Sequence, residues 1–481
     1  MSEKKAKQKR RTQEAKTARD VFNEIKKKNR EVNLLKAVQI LDKMITSSLC
    51  ETVFQRVRTD ERQRVWSLYA LTQFWNTVIL NAPKSLRQAL EEAAEGESKS
   101  PEWPEVKTTP EAFFQRSQDL SWRFFSKLYE AFGERIQKAA PRCFAEELGA
   151  IGSRFPEIRI LDASNLDAIR HRLKILRNQT EAILPGRIMA GYDLFRGYAP
   201  ILHFSENAFE SEIKQLEEIL PLIPKGALVV ADRLYGVTKS FSLLSQEGIY
   251  GLFRRHASLS LRKIKLLSRK RLAGGVLEDW LVEAGQGRRV KEQTLRWIIF
   301  RNKKQGDYEL LTSVLDPLRL SPKEAMELYS YRWDVERLFY DLKEVLNLHR
   351  FYGGNVNAVG IQVYAAAMVH TAMRVAQARI ARQTGIAPEK ISTEKFFPRM
   401  VAALIRWEGM RAGAQVIQDL NPRIKLKQPD WSHIKVGRVR LHQILVEPRK
   451  DTPRHDTREG PNKKKRSYKS LHNIMLLYNS N

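Results

Sequence analysis

Two short apolar runs, each stopping at an aspartate, constrain the fold of this chain more than any other feature. FPEIRILDAS reads as a strand over Ile158 to Leu161 that ends at Asp162, and GALVVADRLYG as an apolar run from Ala227 to Ala231 that stops at Asp232. Runs this short and this rich in Ile, Leu and Val suit strands buried on both faces. Between them, GRIMAGYDLFRGYAPILHF reads as two strands joined across Leu194 to Gly197. SENAFESEIKQLEEIL follows as a helix with an apolar stripe and a Ser205 cap. Strands alternating with a helix in this order indicate a mixed α/β sheet. A single aspartate at a strand end is more often a turn residue than a ligand, and Asp167 and Asp193, close to the same strands, are assigned to structure.

The stretch Tyr329 to Lys343, YSYRWDVERLFYDLK, has a different texture. At helical pitch Tyr329, Arg332, Glu336 and Lys343 fall within an arc of roughly 60°, while Val335, Leu338, Phe339, Leu342 and Leu346 form a core stripe on another face. An amphipathic helix with an Arg332 to Glu336 ion pair accounts for the pattern by itself. A carboxylate bracketed by an arginine, a lysine and a phenol is equally what a site needs to hold a metal ion beside a phosphodiester. Tyr, two residues, Arg, three residues, Glu, six residues, Lys resembles the Tyr-Arg-Glu-Lys signature of DDE insertion-sequence transposases of the group numbered four.

That resemblance, which covers about Ile158 to Arg374, implies a catalytic triad of Asp162, Asp232 and Glu336 on a ribonuclease H-like mixed sheet with flanking helices, a β-strand insertion and a helical N-terminal domain. It implies that the three carboxylates hold two divalent ions, Mg²⁺ with Mn²⁺ as a substitute, since hard oxygen donors without His or Cys suit those metals. One ion would activate a water or a DNA 3′ hydroxyl and the other would stabilise the leaving oxygen. Tyr329, Arg332 and Lys343 would contact the DNA backbone. The partners implied are double-stranded DNA, as terminal inverted repeats and as target, and a second copy of the chain in a synaptic homodimer. The sequence departs from relatives in Ala163-Ser164 after the first aspartate and in Leu234 after the Asp-Arg pair, and neither change removes a ligand.

Composition points the same way. The 481 residues carry 84 Lys and Arg against 55 Asp and Glu, a formal charge of +29, which calls for a polyanionic partner. With 42% hydrophobic residues the chain can bury a core. Cys50 and Cys143 give neither a disulfide framework nor a zinc spacing, and no export signal or membrane-length apolar run is present, so a reducing cytosol is expected and a membrane is not; the resemblance implies that this is a bacterial cytosol or nucleoid.

The expected organisation is a basic arm over 1–30, a helical DNA-binding domain over 31–154, the first half of the catalytic core over 155–245, a β-rich insertion over 246–310, the second half over 311–375, a helical region over 376–435 and a basic tail over 436–481. IYGLFRRH, VLEDWLVEA, TLRWIIFRN and YELLTSV have strand character, interrupted by glycines and by the basic stretch LRKIKLLSRKRL. In relatives an aromatic residue from the insertion stacks on a flipped base; Trp280 and Trp297 are the candidates, and a sheet-face role suits either as well. VYAAAMVHTAMRVAQARIA reads as a buried helix with His370 as a packed core histidine. Two other functions remain compatible with the sequence: a hydrolytic nuclease using the same triad, and a retired transposase that only binds DNA.

Overall fold

The structure is a computed structural model that describes residues 19–35, 40–41, 43–57, 67–95, 109–166, 186–272, 274–285, 292–302, 307–353, 355–403 and 437–447. Most of the basic arm, Asp167, the helical region expected over 376–435 from residue 404 onward, and most of the basic tail lie outside the described residues.

A nine-stranded mixed sheet organises the fold. In chain order its strands are β2 (Ile158–Asn165), β3 (Arg187–Asp193), β4 (Tyr198–Ser205), β5 (Leu228–Ala231), β6 (Tyr250–Arg254), β7 (Leu261–Leu272), β8 (Gly275–Ala284), β9 (Gln293–Arg301) and β10 (Tyr308–Thr312). They lie side by side as β4-β3-β2-β5-β6-β10-β9-β8-β7, with β2, β5 and β6 parallel and the remaining pairs antiparallel. The basic stretch LRKIKLLSRKRL is itself β7, the outermost strand. Its lysines and arginines suit an unpaired edge, where charge discourages edge-to-edge association. A separate two-stranded sheet pairs β1 (Glu31–Asn33) with β11 (Arg438–Arg440), so Val32, expected in a helix, lies in a strand supplied with a partner from far along the chain.

Helices cover both faces, and the two-residue period of the strands divides the core accordingly. Ile158, Ile160, Leu228, Val230 and Leu252 point to one side, toward α5 (Trp122–Ala139) and α10 (Val356–Thr384). Leu161, Val229, Ala231 and Phe253 point to the other, toward α6 (Glu212–Ile219) and α7 (Thr238–Gln246). The helix α10 is buried along nearly its whole length, His370 included, which explains why its sequence shows no amphipathic stripe. On the same side, α1 (Ser47–Val57), α2 (Leu68–Asn81), α3 (Leu86–Glu95) and α4 (Pro110–Asp119) contribute Val53, Trp75, Leu90 and Phe113 to the larger core. No helix among the described residues is long and apolar enough to cross a membrane.

The signature stretch is not one continuous helix. It runs through α8 (Pro322–Ser330), a 3₁₀ turn over Tyr331–Trp333, α9 (Asp334–Tyr340) and a π-helical turn over Asp341–Val345. The 3₁₀ turn is tighter than α pitch and the π turn wider, so their phase errors oppose each other. Ser321 caps α8 in a full capping box with Glu324. Ser205, expected to cap a helix, instead closes β4, and Ser211 occupies the N-cap position of α6. Arg196 and the turn N–H groups of Phe195 and Arg196 bind buried Asp193, the structural role expected of it.

The outer strands are pinned to the segment before α8 by one buried pair. Arg296 on β9 and Asp279 on β8, both inaccessible to solvent, meet in a two-point ion pair at 2.6 and 3.2 Å, and Arg296 Nη1 donates to the carbonyls of Val314 and Leu320 at 3.0 and 2.8 Å. Removing one partner would leave an uncompensated buried charge, so Asp279→Ala is expected to cost about 3–5 kcal/mol of unfolding free energy. Urea titration measures this, and an unchanged midpoint would contradict the assignment.

Candidate active site

Register places the first two aspartates together. β2 and β5 run parallel with Ile158 opposite Leu228 and Ile160 opposite Val230, and two more residues along each chain give Asp162 and Asp232. Neighbouring strands lie about 4.8 Å apart, so the two carboxylates leave the sheet as neighbours. Asp232 follows the last residue of β5 and turns the chain, its Oδ1 accepting from Leu234 N–H at 2.7 Å. Asp162, expected at the strand end, lies inside β2, because pairing with β3 continues to Asn165 after pairing with β5 stops at Ile160. After Asp232 the loop passes so close to β6 that a Cβ on Gly236 would collide with the carbonyl oxygen of Arg254.

Glu336 reaches this place from the signature stretch. Val335 and Leu338 on α9 pack into the larger core, on the side that Ile158 and Ile160 face and therefore the side of Asp162. Arg332, only 7% exposed, lies between the first and third carboxylates, with Nη1 3.6 Å from Asp162 Oδ2 and Nη2 3.3 Å from Glu336 Oε1. Its guanidinium also stands over the Trp333 ring at 3.9 Å. The Glu336 side chain is 46% exposed and free to adjust, whereas Asp162 is held by Ala163 N–H at 2.9 Å. Burial pushes the Asp162 carboxyl up to about 7, against the lowering pull of Ala163 N–H and Arg332.

Tyr329 belongs to the same constellation but is buried, 2% exposed, with its ring 6.0 Å from that of Tyr308. Burial raises its hydroxyl above the usual range, and Arg332, Asp232, Arg254 and Asp162 all act on it. Lys343 stands at the end of β2, where its ammonium donates to Asn165 O at 2.9 Å, three positions beyond Asp162. All six residues anticipated from the sequence therefore converge on one end of β2 and β5.

Three further residues belong here and were not anticipated. Glu212, at the start of α6, pairs with Arg187 on β3, and burial raises its carboxyl, with Asp232 adding to the rise. Tyr235 is fully buried three residues after Asp232, with its hydroxyl pushed up by burial and by Glu212. The Arg187 to Glu212 pairing was invisible in the sequence because it depends on how β3 meets α6. Tyr235 carried a local signal, a phenol in the turn that Asp232 opens.

Three and four strands across the sheet from β5, in the row that contains Ala231, Trp297 and Trp280 face each other across β9 and β8, with the Lys263 ammonium 5.4 and 4.0 Å from their ring centroids. Their indole N–H groups donate to Glu278 and Glu309, and both rings pack on the smaller core. Among the described residues, His203, Glu210 and Glu218 form the one group whose three metal-ligand atoms all lie within 4.8 Å of one another. Lys214 already ion-pairs with Glu210 at 2.6 Å, and His203 Nε2, whose protonation burial disfavours, lies 3.2 Å from Glu218 Oε2. By donor chemistry, Asp162, Asp232 and Glu336 are the better set for a hard divalent ion: carboxylate oxygens only, two of them fixed by register and the third on an adjustable side chain.

Residues 153–372 match the family described as Transposase DDE domain, and the match contains Asp162, Asp232 and the whole signature stretch. Over 251 residues the chain is 25% identical to a probable transposase for insertion sequence element IS5377 of Geobacillus stearothermophilus, covering 51% of this chain and 63% of that protein. Over 81 residues it is 33% identical to a putative transposase, y4zB, of Sinorhizobium fredii, covering 17% and 22%. The chain thus spans less than two thirds of the length of these curated relatives. A piggyBac transposase synaptic complex with hairpin DNA aligns over 84% of this chain and 88% of its own, at 10% identity and a TM-score of 0.39, too slight a likeness to bear on fold or function.

The raised Asp162 carboxyl has a measurable consequence. A group whose folded pKa lies above its unfolded value destabilises the fold as pH rises from the ordinary carboxylate range through about 7. Asp162→Asn cannot ionise, so without divalent ions it is expected to melt higher than the parent at about pH 8 and to match it near pH 4. Equal melting temperatures at both values would contradict the burial assigned to this carboxyl.

Proposed function

We propose that this protein is a DNA transposase that cuts at the ends of a mobile element and joins the freed 3′ ends to target DNA. The observation that carries the proposal is the meeting of Asp162 and Asp232, brought level by parallel register, with Glu336, tied back to Asp162 through Arg332. The transposase DDE domain match over 153–372 and the transposase relatives support it. In this reading the sheet with its two helical layers is a ribonuclease H-like core, the signature is the Tyr-Arg-Glu-Lys type of insertion-sequence group four, and residues 246–310, which hold β6 to β9 and the start of β10, are the β-rich insertion.

Asp162, Asp232 and Glu336 would hold two divalent ions, Mg²⁺ or Mn²⁺. When bound, such ions supply Lewis-acid charge that makes a hydroxyl nucleophilic at neutral pH and offsets charge on a leaving oxygen. The chain's own residues orient the DNA. Lys343, at the end of β2, would position the scissile phosphate as a point charge. Arg332 is held by Asp162 and Glu336, and with Arg254, whose guanidinium stands 4.9 Å over the Tyr308 ring, it makes this end of the sheet cationic as well as acidic. Tyr329 is too deeply buried to reach far, and its hydroxyl would act from the floor of the site. The net charge and the basic β7 edge would supply contacts to the duplex independent of sequence. Two copies of the chain would synapse two element ends, and the setting would be a bacterial cytosol or nucleoid.

The test uses full-length protein, Mg²⁺ and a labelled duplex carrying the terminal inverted repeats that flank the gene, with Asp232→Ala as control. Nicking at the repeat boundary and strand joining by the parent, reduced about a thousandfold or more in the control, is the expected result, since loss of a metal ligand removes several kcal/mol of transition-state stabilisation. DNA binding without cleavage by either protein would overturn the proposal in favour of a DNA-binding role. Cleavage without joining would leave a nuclease.

A further inference from the structure

Between Glu336 and Lys343 the helix changes pitch. The turn Asp341–Val345 is π-helical, closed by Leu346 N–H donating to Asp341 O at 2.9 Å. A π turn is rare, because it strains the ladder around an extra residue and persists only where neighbours hold it. Here the neighbours converge on one buried side chain. Asp341 is 1% exposed. Thr393 Oγ1 donates to its Oδ1 at 2.8 Å, Arg337 Nε lies 3.1 Å from the same oxygen, and His370 Nε2 lies 3.5 Å from Oδ2. Arg337 also donates to Thr393 Oγ1 at 2.9 Å, which closes the ring of contacts. Thr393 opens the helix over 393–403 and His370 sits in the middle of α10, so one carboxylate fastens the turn to two separate segments.

A buried aspartate is costly, and an apolar residue of similar volume would serve packing alone at least as well. What Asp341 adds is register. Two residues on, Lys343 extends to Asn165 O, while its own carbonyl oxygen lies 2.6 Å from His349 Nδ1. If the turn relaxed to α pitch, the residues leaving it would rotate by up to one residue, roughly 100°, and Lys343, two residues into it, by roughly a few tens of degrees, enough to swing the ammonium at the end of its long stem off Asn165 O.

We propose that Asp341 is a positioning residue: with Thr393 and Arg337 it holds the π turn that delivers the Lys343 ammonium to the end of β2 beside Asp162. The consequence for catalysis rests on the transposase reading above, whereas the placement of Lys343 does not.

The experiment therefore has two arms, both on full-length protein. In the first, lysines of the parent and of Asp341→Asn are acylated with an amine-reactive ester under limiting conditions and quantified by mass spectrometry. Lys343 is expected to react several-fold faster in the variant while Lys127 and Lys214 are unchanged, and an unchanged Lys343 rate in the folded variant overturns the proposal. If Asp341→Asn does not fold, Thr393→Val, which keeps the carboxylate and removes one donor, is put to the same criterion. The second arm is a double-mutant cycle on strand cleavage with Lys343→Ala. Asp341→Asn alone is expected to slow cleavage about tenfold and to add nothing once Lys343 is alanine. Losses that multiply would overturn the proposal, because a merely structural defect would act whether or not Lys343 is present. A parent protein that cuts no DNA would sink the transposase reading, and the acylation result would still decide the role of Asp341.

Discussion

The Arg332 guanidinium, set between Asp162 and Glu336, is the contact on which the site depends. Carboxylates gathered at one end of a sheet repel one another, and Asp162 shows the strain in a carboxyl lifted by burial and by the charges of Glu212 and Asp232. Arg332 offsets part of that repulsion. It also ties a residue of the sheet to a helical segment that arrives about 170 residues later, and a fixed planar donor array suits that task better than a flexible ammonium. Stacking on Trp333 holds the guanidinium plane in place.

Around this contact the fold supplies rigidity from two sides. From below, the parallel β2 and β5 fix the first two aspartates by register, and register cannot slip where both faces of the strands are buried, since a one-residue slip would exchange the two cores. From above, the signature stretch is braced at both ends: upstream by the segment that Arg296 and Asp279 fasten to the outer strands, downstream by the contacts of Asp341. A stretch that departs twice from α pitch needs such bracing, because its backbone does not set the direction of its side chains without help.

Much of this was legible in the sequence. The strands flanking Asp162 and Asp232, the hairpin between Leu194 and Gly197, the structural role of Asp193 and the buried helix around His370 all followed from apolar runs, turn residues and the chemistry of single side chains. The spacing of Tyr329, Arg332, Glu336 and Lys343 pointed to one polar face, and the four residues gather at one end of β2 even though the helix that carries them is broken, because the tight and wide turns compensate. What stayed hidden depended on contacts between distant parts of the chain. The strand at Val32 forms only because 438–440 pairs with it, β7 looked like an interruption because an edge strand needs no apolar face, and Glu212 joins the site through Arg187.

The most direct measurement is metal-directed backbone cleavage. Fe²⁺ with ascorbate and peroxide, added to the full-length protein in place of Mg²⁺, cuts the chain close to wherever a divalent ion binds. Fragments ending near residues 162, 232 and 336, suppressed by Mg²⁺ and lost in Asp162→Asn, are the predicted result. Cleavage confined to 203–218, where His203, Glu210 and Glu218 cluster, or insensitivity to Asp162→Asn, would contradict the account.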